Sequence, residues 1–356
     1  MLKITVLCAL LCLSTALVIP KGSRNKPNAR VQYRKANRFA TTYQHPFEDY
    51  ALVAVATWVG QPAQLIDNAY IDTDKGDVYL KLCPNSHPAD SDLPCYNSYK
   101  SQTFVRLNAN QAMEVMKGDN ADDKYMTNVT FITHCDFESR FGFGWPNNRV
   151  YADDTYYPSV YLNQKGVNNI FLMSIAKDGC VSQIDWGSAC ESSKYATNYV
   201  PVTSDKYWQF NLNSLTLGNV NVTFDTPAHP VITSMEPYIG MPKKVLNKLM
   251  AAHNITWSDE YGAYTAWCYG TMPDLKLQLQ GLELTIKPEQ YLYTWQPLDN
   301  GKCVVNFIAS EDTSVGHDWY FGFPLFAAYC TTFDYDNAQI GFMYNDWYAQ
   351  DNSCHS

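Results

Sequence analysis

The stretch Ala69-Tyr70-Ile71-Asp72-Thr73-Asp74 carries a short strand-forming run directly into a pair of aspartates. Similar runs rich in Val, Ile, Thr and Tyr lie on both sides of it, at residues 51–59, 129–133, 215–224 and 303–309, with turn residues between them. Runs of this length and spacing are typical of sheet proteins. The sequence therefore predicts a mainly β fold with few short helices.

Helical periodicity is found in two places. Residues 243–253 follow Pro242, and one face of this predicted helix carries Val245, Leu246, Leu249 and Met250. A second helix is predicted over residues 108–116 from a weaker pattern.

Several further segments occur in a fixed order around Asp72. They are Val-Gly-Gln-Pro-Ala-Gln at 59–64, Phe-Gly-Phe-Gly-Trp-Pro at 141–146, Val-Pro-Val-Thr at 200–203 with Tyr-Trp-Gln-Phe at 207–210, the cysteines Cys268 and Cys303 around 273–275 and 288–293, and the closing segments 319–322, 332–334 and 339–341. In this order they resemble the pepsin-like aspartic peptidases of the A1 type. The resemblance runs from about residue 50 to residue 344.

The resemblance implies two β-barrel-like lobes that flank a long cleft, with one catalytic aspartate from each lobe. On this basis the chain divides into a signal peptide (1–16), a basic leader or propeptide-like segment (17–45), an N-terminal lobe (46–198) and a C-terminal lobe (199–356). In this family a water held between two carboxylates attacks the peptide carbonyl, and the two carboxylates share one proton. The chemistry needs both acids.

Asp72 stands at the position of the family's first aspartate, but the turn after it differs. The motif is Asp72-Thr73-Asp74, where the family has Asp-Thr-Gly. Glycine permits a tight turn there, whereas Asp74 adds bulk and another negative charge. We expect a distorted turn.

Thr233 stands at the position of the second aspartate, counted forward from Tyr207 and backward from Pro242. The local sequence is Thr-Ser-Met-Glu-Pro at 233–237, where the family has Asp-Thr-Gly-Thr-Ser. A threonine hydroxyl can hydrogen-bond a water but cannot serve as an acid or base at neutral or mildly acidic pH. The sequence predicts a broken catalytic pair.

No other acidic residue is predicted to replace the second aspartate, and the family's flap motif is also missing. Asp225 lies eight residues too early by both counts, and Glu236 is interpreted as a solvated turn residue. The family's flap carries a Tyr-Gly dipeptide, which does not occur between Cys95 and Phe141. We therefore expect the flap that shields substrate from water to be lost.

The N-terminus indicates export. Residues 1–19 combine a lysine, an apolar run and Ser14-Thr15-Ala16, which predicts a signal peptide cleaved after Ala16 rather than a membrane anchor. Residues 17–45 are basic, and two interpretations stay open: a propeptide that lies in the cleft, or an arm without that role. The predicted destination is outside the cell or, alternatively, an acidic lysosome-like compartment. Candidate glycosylation sites are Asn128, Asn221 and Asn254.

Nine cysteines remain after the predicted signal, and an oxidising compartment favours disulfides. The resemblance implies the pairs Cys83–Cys95 and Cys268–Cys303. Cys180 and Cys190 are near enough in sequence to close a short loop. The cysteines whose pairing stays open are Cys135, Cys330 and Cys354.

Several kinds of function are excluded. The net charge is -9, and residues 1–47 contain no acidic residue, so the rest of the chain is strongly acidic and would repel nucleic acid. The histidines are scattered, and neither His-Glu-x-x-His nor Gly-x-Ser-x-Gly occurs, so we expect no metal, no cofactor and no serine hydrolase. No segment after the N-terminal run is apolar enough to span a membrane.

The predicted function is that of a secreted, catalytically inactive pepsin-like homologue that keeps its cleft for binding a peptide or protein. The alternative is an aspartic endopeptidase with weak activity at acid pH, which would use Asp72 and a repositioned carboxylate. The sequence predicts neither the ligand nor the oligomeric state.

Overall fold

The computed structural model describes residues 39–40, 43–44, 53–83, 95–117, 126–134, 139–149, 158–159, 162–163, 166–175, 182–294, 297–298, 300–313 and 315–345. Strands dominate these ranges, which confirms the predicted mainly β fold. The α-helices with described bounds are α1 (Lys243–Ala252), α2 (Pro288–Tyr291) and α3 (Phe323–Ala328), and single 3-10 turns lie at Ser98–Lys100 and Ser310–Asp312.

An eight-stranded sheet forms the N-terminal lobe. In spatial order its strands are β2 (Tyr43–Gln44), β3 (Val53–Val59), β4 (Gln64–Asp72), β9 (Arg140–Gly142), β5 (Val78–Lys81), β8 (Met126–His134), β7 (Gln111–Lys117) and β6 (Val105–Arg106). Its core includes the fully buried Ile71 and Phe131. β4 and β9 run parallel, and this pairing places the end of β4 against the start of the glycine-containing segment.

A six-stranded sheet joins the two halves of the chain. Its strands are β1 (Phe39–Ala40), β11 (Ser182–Trp186), β10 (Ile170–Ile175), β24 (Tyr329–Asp334), β25 (Gln339–Tyr344) and β12 (Asn198–Pro201). β10 pairs with β24, and the rings of Phe171 and Phe333 stack with their centroids 4.5 Å apart. The sheet thus forms a shared base for both lobes.

Three smaller sheets build the C-terminal lobe. The first contains β14 (Val220–Ala228), β13 (Leu212–Leu217), β19 (Leu275–Leu279) and β20 (Leu282–Ile286), and the second contains β15 (Val231–Ile232), β23 (Tyr320–Phe321), β16 (Ile239–Met241) and β22 (Phe307–Ala309). The third contains β17 (Thr256–Ser258), β18 (Ala263–Trp267) and β21 (Lys302–Val304). The helix predicted over 243–253 is confirmed as α1, which buries Leu246, Leu249 and Met250.

The helix predicted over residues 108–116 is wrong. The structure has strand β7 there, which pairs along its length with β8 and at its ends with β3 and β6. Ala112, Glu114 and Met116 are buried while the residues between them are half-exposed, so burial has the period of a strand. Sheet pairing on both sides overrides the weak helical pattern.

Strands β1 and β2 lie inside the segment 17–45 that the sequence assigns to a leader. β1 forms an edge of the six-stranded sheet by pairing with β11, and β2 pairs with β3 of the N-terminal lobe. Residues 39–40 and 43–44 are therefore paired with the folded body. The predicted signal peptide lies outside the described residues.

The structure contains both disulfides that the resemblance implied, Cys83–Cys95 and Cys268–Cys303. The predicted Cys180–Cys190 loop is wrong, because Cys190 is bonded to Cys330, at a sequence separation of 140. Cys190 lies in a small buried cluster with Leu172 and Met343, where the six-stranded sheet brings it beside β24. Nearness in sequence could not reveal this pairing. Cys135, Cys180 and Cys354 lie outside the described residues.

We expect the Cys190–Cys330 bond to stabilise the fold more than the Cys83–Cys95 bond, whose partners are 12 residues apart. The double variant Cys190→Ala/Cys330→Ala should lose about 5 kcal/mol of unfolding free energy, and Cys83→Ala/Cys95→Ala about 3 kcal/mol, because a longer closed loop restricts the unfolded chain more. Urea unfolding under non-reducing conditions measures both values. A larger loss for the Cys83–Cys95 pair would contradict this order.

None of the helices in the described part of the chain combines the length and the apolar character needed to cross a membrane.

Candidate active site

Asp72 is the last residue of β4 and is buried, with 2% of its surface exposed. It lies opposite Gly142 of the parallel strand β9. A side chain at Gly142 would collide with the backbone of Asp77, so this close approach requires glycine. The Oδ1 atom of Asp72 accepts hydrogen bonds from the backbone amides of Asp74 at 2.9 Å and Lys75 at 3.1 Å. The turn itself therefore fixes the carboxylate.

Thr233 lies in a related turn of the C-terminal lobe. It follows β15, which is parallel to β23 as β4 is parallel to β9, and 1% of its surface is exposed. Its Oγ1 atom accepts a hydrogen bond from the backbone amide of Met235 at 3.3 Å. In both turns, therefore, the amide two residues further along the chain donates to the side chain at the candidate catalytic position. Gly322, after β23, leaves no room for a side chain against the Glu236 carbonyl. The second turn repeats the first with a hydroxyl in place of a carboxylate.

Hydrogen bonds between Thr73 and Ser234 join the two turns. The Thr73 amide donates to Ser234 Oγ at 3.0 Å, and the Ser234 amide donates to Thr73 Oγ1 at 2.9 Å. Each hydroxyl also donates across the interface, Thr73 to the carbonyl of Ile232 and Ser234 to the carbonyl of Ile71. Because Thr73 follows Asp72 and Ser234 follows Thr233, this exchange brings the two positions predicted from sequence to one place between the lobes.

An aromatic cluster supports the site from behind. The indole of Trp208 donates to the carbonyl of Phe143 at 2.8 Å, and the hydroxyl of Tyr335 donates to the same carbonyl at 3.0 Å. The rings of Trp208 and Tyr335 lie 4.8 Å apart. Two residues from the C-terminal half of the chain therefore hold the segment that follows Gly142 in the N-terminal lobe.

The environment of Asp72 favours its protonated form. Burial and the nearby charge of Asp74 raise the pKa of Asp72 to about 6, against the opposing effect of Arg140 and the two backbone amides. Arg140 lies on β9, and its guanidinium is 4.0 Å from Asp72 Oδ2. At mildly acidic pH the site therefore holds a protonated Asp72 beside a cation.

Asp74, which stands where the resemblance implies glycine, is well accommodated. Its Oδ1 atom accepts from His317 Nε2 at 2.8 Å, and its Oδ2 atom lies 3.1 Å from Lys75 Nζ. Burial by itself raises the pKa of Asp74, but the contacts with His317 and Lys75 outweigh burial and lower the pKa below its usual value. The expected distortion is absent at the Asp72 hydrogen bonds, since the amides of Asp74 and Lys75 both reach the carboxylate.

Glu236 differs from the solvated turn residue that the sequence suggested, because it is half-buried. Burial, together with the charges of Asp74 and Asp72, raises the pKa of Glu236 to about 7. Its charge is therefore coupled to the first turn although its backbone belongs to the second. Asp225, by contrast, is an exposed residue of β14.

The interval in which the flap is expected to be lost contains a hairpin, and the loss of a lid over the site stays a prediction. β7 and β8 form an antiparallel hairpin in that interval, with Gln111 opposite Ile132 and Lys117 opposite Met126. The connecting residues 118–125 lie outside the described residues. Strand pairing and alternate burial form such a hairpin without a Tyr-Gly dipeptide, so the missing dipeptide was a poor guide to the backbone.

Sequence reasoning missed Arg140 and His317. Arg140 immediately precedes the glycine-containing segment that the sequence already matched, so its place on a strand next to Asp72 could have been inferred. His317 lies 243 residues from Asp74, and no spacing rule connects them. In the described part of the chain, no three His, Cys, Asp or Glu side chains are grouped as metal ligands.

The three sequon asparagines are exposed. Asn128 lies on β8, Asn221 on β14, and Asn254 in the turn after α1 with a φ of 54°. Their exposure is compatible with modification, and glycosylation stays a prediction.

Comparisons with known proteins agree with this geometry. The model of the family described as "Eukaryotic aspartyl protease" matches residues 96–344. Aspartic protease 17 of Caenorhabditis elegans is 25% identical over 57% of this chain and 53% of its own length, so the match spans about half of that relative. Cathepsin D of Dictyostelium discoideum is 22% identical over 96% of this chain and 98% of its own length. Pepsin A of Bos taurus is 22% identical over 60% of this chain and 57% of its own length.

Proposed function

The chain belongs to the eukaryotic aspartyl protease family, and from that membership we propose that it is a secreted, catalytically inactive member whose cleft binds a peptide or protein. The observation that carries the proposal is Thr233. It occupies the turn that mirrors the Asp72 turn, and it is tied to that turn by the Thr73–Ser234 exchange.

A single carboxylate cannot act as both the general base and the general acid of peptide hydrolysis. Peptide hydrolysis by this family needs a base that takes a proton from water while a second group gives a proton to the peptide. Asp72 can fill one of these roles, and the Thr233 hydroxyl can fill neither, because it does not ionise in the working pH range. A bound peptide would meet hydrogen-bonding groups without a complete acid–base pair.

Two features support binding as the retained role. The Asp72 and Thr233 turns keep their backbone hydrogen bonds and their link between the lobes, so the framework of the cleft is intact. The centre of the site also carries charged groups of both signs, which a ligand can contact. Binding energy from such a preorganised site needs no chemical step.

Export and domain boundaries are part of the same proposal. Disulfides persist in oxidising compartments, and the described residues contain three of them, which supports secretion or an acidic lysosome-like destination. We infer lobes at 46–198 and 199–356, with β1 and β2 of the 17–45 segment packed onto them by strand pairing. The signal at residues 1–16 and the use of Asn128, Asn221 and Asn254 belong to this proposal as well.

The activity test compares the purified protein with its Asp72→Asn variant on denatured globin between pH 3 and pH 7. We expect no pepstatin-sensitive cleavage by either protein, because the parent already lacks one acid. The proposal would be contradicted if the parent cleaves globin, pepstatin inhibits this cleavage, and the Asp72→Asn substitution abolishes it. An active cathepsin D serves as the positive control for substrate and inhibitor.

Binding needs its own test, in which immobilised protein is screened against a peptide library. Reversal of charge at the centre of the site by Arg140→Glu should weaken a selected peptide about tenfold, which corresponds to 1.4 kcal/mol. The matched control is Lys276→Glu, since Lys276 is an exposed residue of β19 that pairs with Glu283. Equal effects of the two reversals would show that the peptide binds elsewhere.

One observation favours the alternative, residual peptidase activity at acid pH. The charge of Glu236 is coupled to Asp72 and Asp74, so a second acid does act on the site electrostatically. In this second function Glu236 would replace the missing aspartate, and Glu236→Gln would abolish any cleavage as completely as Asp72→Asn. Cleavage that survives Glu236→Gln excludes that role.

A further inference from the structure

Asp74 and His317 connect the two lobes beside the candidate active site. Asp74 Oδ1 and His317 Nε2 are 2.8 Å apart, and the exposed fractions of their side chains are 10% and 14%. Asp74 belongs to the turn after β4 in the N-terminal lobe, and His317 lies between the 3-10 turn at Ser310–Asp312 and β23 in the C-terminal lobe. A buried, charge-assisted hydrogen bond of this length is among the strong polar contacts of a protein.

Further contacts fix both partners. The ring of Tyr207 meets the His317 ring edge-on with the centroids 4.6 Å apart, and Lys75 Nζ lies 3.1 Å from the other oxygen of Asp74. The side-chain amide of Asn148 donates to the Asp74 carbonyl. Both groups are therefore held in place before they meet, so little side-chain entropy is lost when the bond forms.

We propose that Asp74 and His317 form a clamp that holds the two lobes together at the centre of the cleft and that opens when Asp74 is protonated. The residue that replaces glycine in this chain thus has a structural role of its own. The clamp does not depend on whether the cleft binds a ligand or retains any catalysis.

The charged surroundings of the clamp determine its pH range. Asp74 is faced by His317 from the opposite lobe, its charge acts on Asp72 of its own turn and on Glu236 of the second turn, and the ring of Tyr207 packs against His317. Lys75 lies beyond Asp74. Because His317 and Lys75 lower the pKa of Asp74, the clamp is fully formed above the usual pKa of an aspartate and is lost as the pH falls through the lowered value. It should stay closed in mild acid and open only in strong acid.

The experiment is hydrogen exchange in the parent, Asp74→Gly, His317→Gln and the double variant. At pH 6 we expect Asp74→Gly to speed exchange about tenfold in residues 315–321, which belong to the opposite lobe, since loss of a charge-assisted bond is worth about that factor. The double variant should exchange no faster than the faster single variant. As the pH is lowered stepwise from 3 into stronger acid, and after correction for the intrinsic rate, exchange in the parent should rise to that of the variants.

Two further variants sharpen the result. Lys75→Gln removes the contact of Asp74 within its own lobe and should change exchange in residues 315–321 by less than about twofold. If Asp74→Gly does not fold, Asp74→Asn removes the charge while keeping the side-chain volume. Unchanged exchange in 315–321 on replacement of Asp74, or single effects that multiply in the double variant, would overturn the clamp.

Discussion

The double variant Thr233→Asp/Asp74→Gly should cleave denatured globin at acid pH, where the parent protein does not. Thr233 already lies in a turn that returns an amide to its side chain, so an aspartate there would receive the hydrogen bond that Asp72 receives in the first turn. The Thr73–Ser234 exchange holds the two turns together and does not involve the substituted side chains. The substitution therefore adds an acid to an existing frame.

The expected gain is large because an acid–base pair acts on every step of the reaction. General acid–base catalysis contributes roughly 10²- to 10⁴-fold, so cleavage should rise from background by about 10³-fold. Asp74→Gly removes the charge that helps to raise the pKa of Asp72. Without this second substitution, three carboxylates would crowd one site, and we expect Thr233→Asp alone to be less active than the double variant.

Pepstatin sensitivity and a triple variant control this result. Addition of Asp72→Asn to the double variant should return cleavage to background, because the new aspartate then has no partner. Circular dichroism and the thermal midpoint show whether each variant is folded. A folded double variant that binds pepstatin and yet remains inert would refute the claim that the missing second carboxylate is what disables the site.

The sequence was sufficient for the parts of the site that depend on short motifs. Asp72 ends a strand-forming run, and counting from Tyr207 and Pro242 led to Thr233, which the structure places in the matching turn. The two positions lie in matching turns because a parallel strand pair and its glycine constrain the neighbouring residues closely. The helix over 243–253 was predictable for a similar reason, since its apolar residues are local in sequence.

Contacts between distant segments could not be inferred in this way. The Cys190–Cys330 disulfide and the Asp74–His317 bond join residues 140 and 243 positions apart, and sheet order brings each pair together. The strand at β7 was misread because a weak helical period lies in a segment whose conformation is set by its strand neighbours. Glu236 seemed solvated because a turn position does not reveal how much of the side chain the fold buries.

The second large effect is a loss of stability as the pH rises from about 5 to 8. Asp72 and Glu236 have pKa values of about 6 and about 7 in the folded protein, above their values of 3.8 and 4.5 as free side chains. Between these limits the folded state binds more protons than the unfolded state, so the free energy of unfolding increases as the pH falls. Asp74 acts in the opposite direction, but only in stronger acid, because its pKa is lowered.

The size of the effect follows from the shifts. At 1.36 kcal/mol per pKa unit, ionisation of Asp72 costs the fold about 3 kcal/mol, and the half-buried Glu236 adds about 2 kcal/mol after allowance for solvent screening. Part of this cost is already present at pH 5, above the free-side-chain pKa values, so urea unfolding at pH 5 and pH 8 should differ by about 3 kcal/mol. Maximal stability should lie near pH 4, because the contributions of Asp72 and Glu236 still increase as the pH falls below 5 and the loss from Asp74 begins only below its usual pKa.

Amide variants assign this dependence to its two groups. Asp72→Asn should remove about half of the difference between pH 5 and pH 8, Glu236→Gln most of the rest, and the exposed Asp225→Asn should leave the difference unchanged. The two substitutions should not be additive, because each charge raises the pKa of its neighbours and loss of one relieves the other. A protein that is more stable at pH 8 than at pH 5, or one whose profile is flattened equally by Asp225→Asn, would show that the buried acids are not the source.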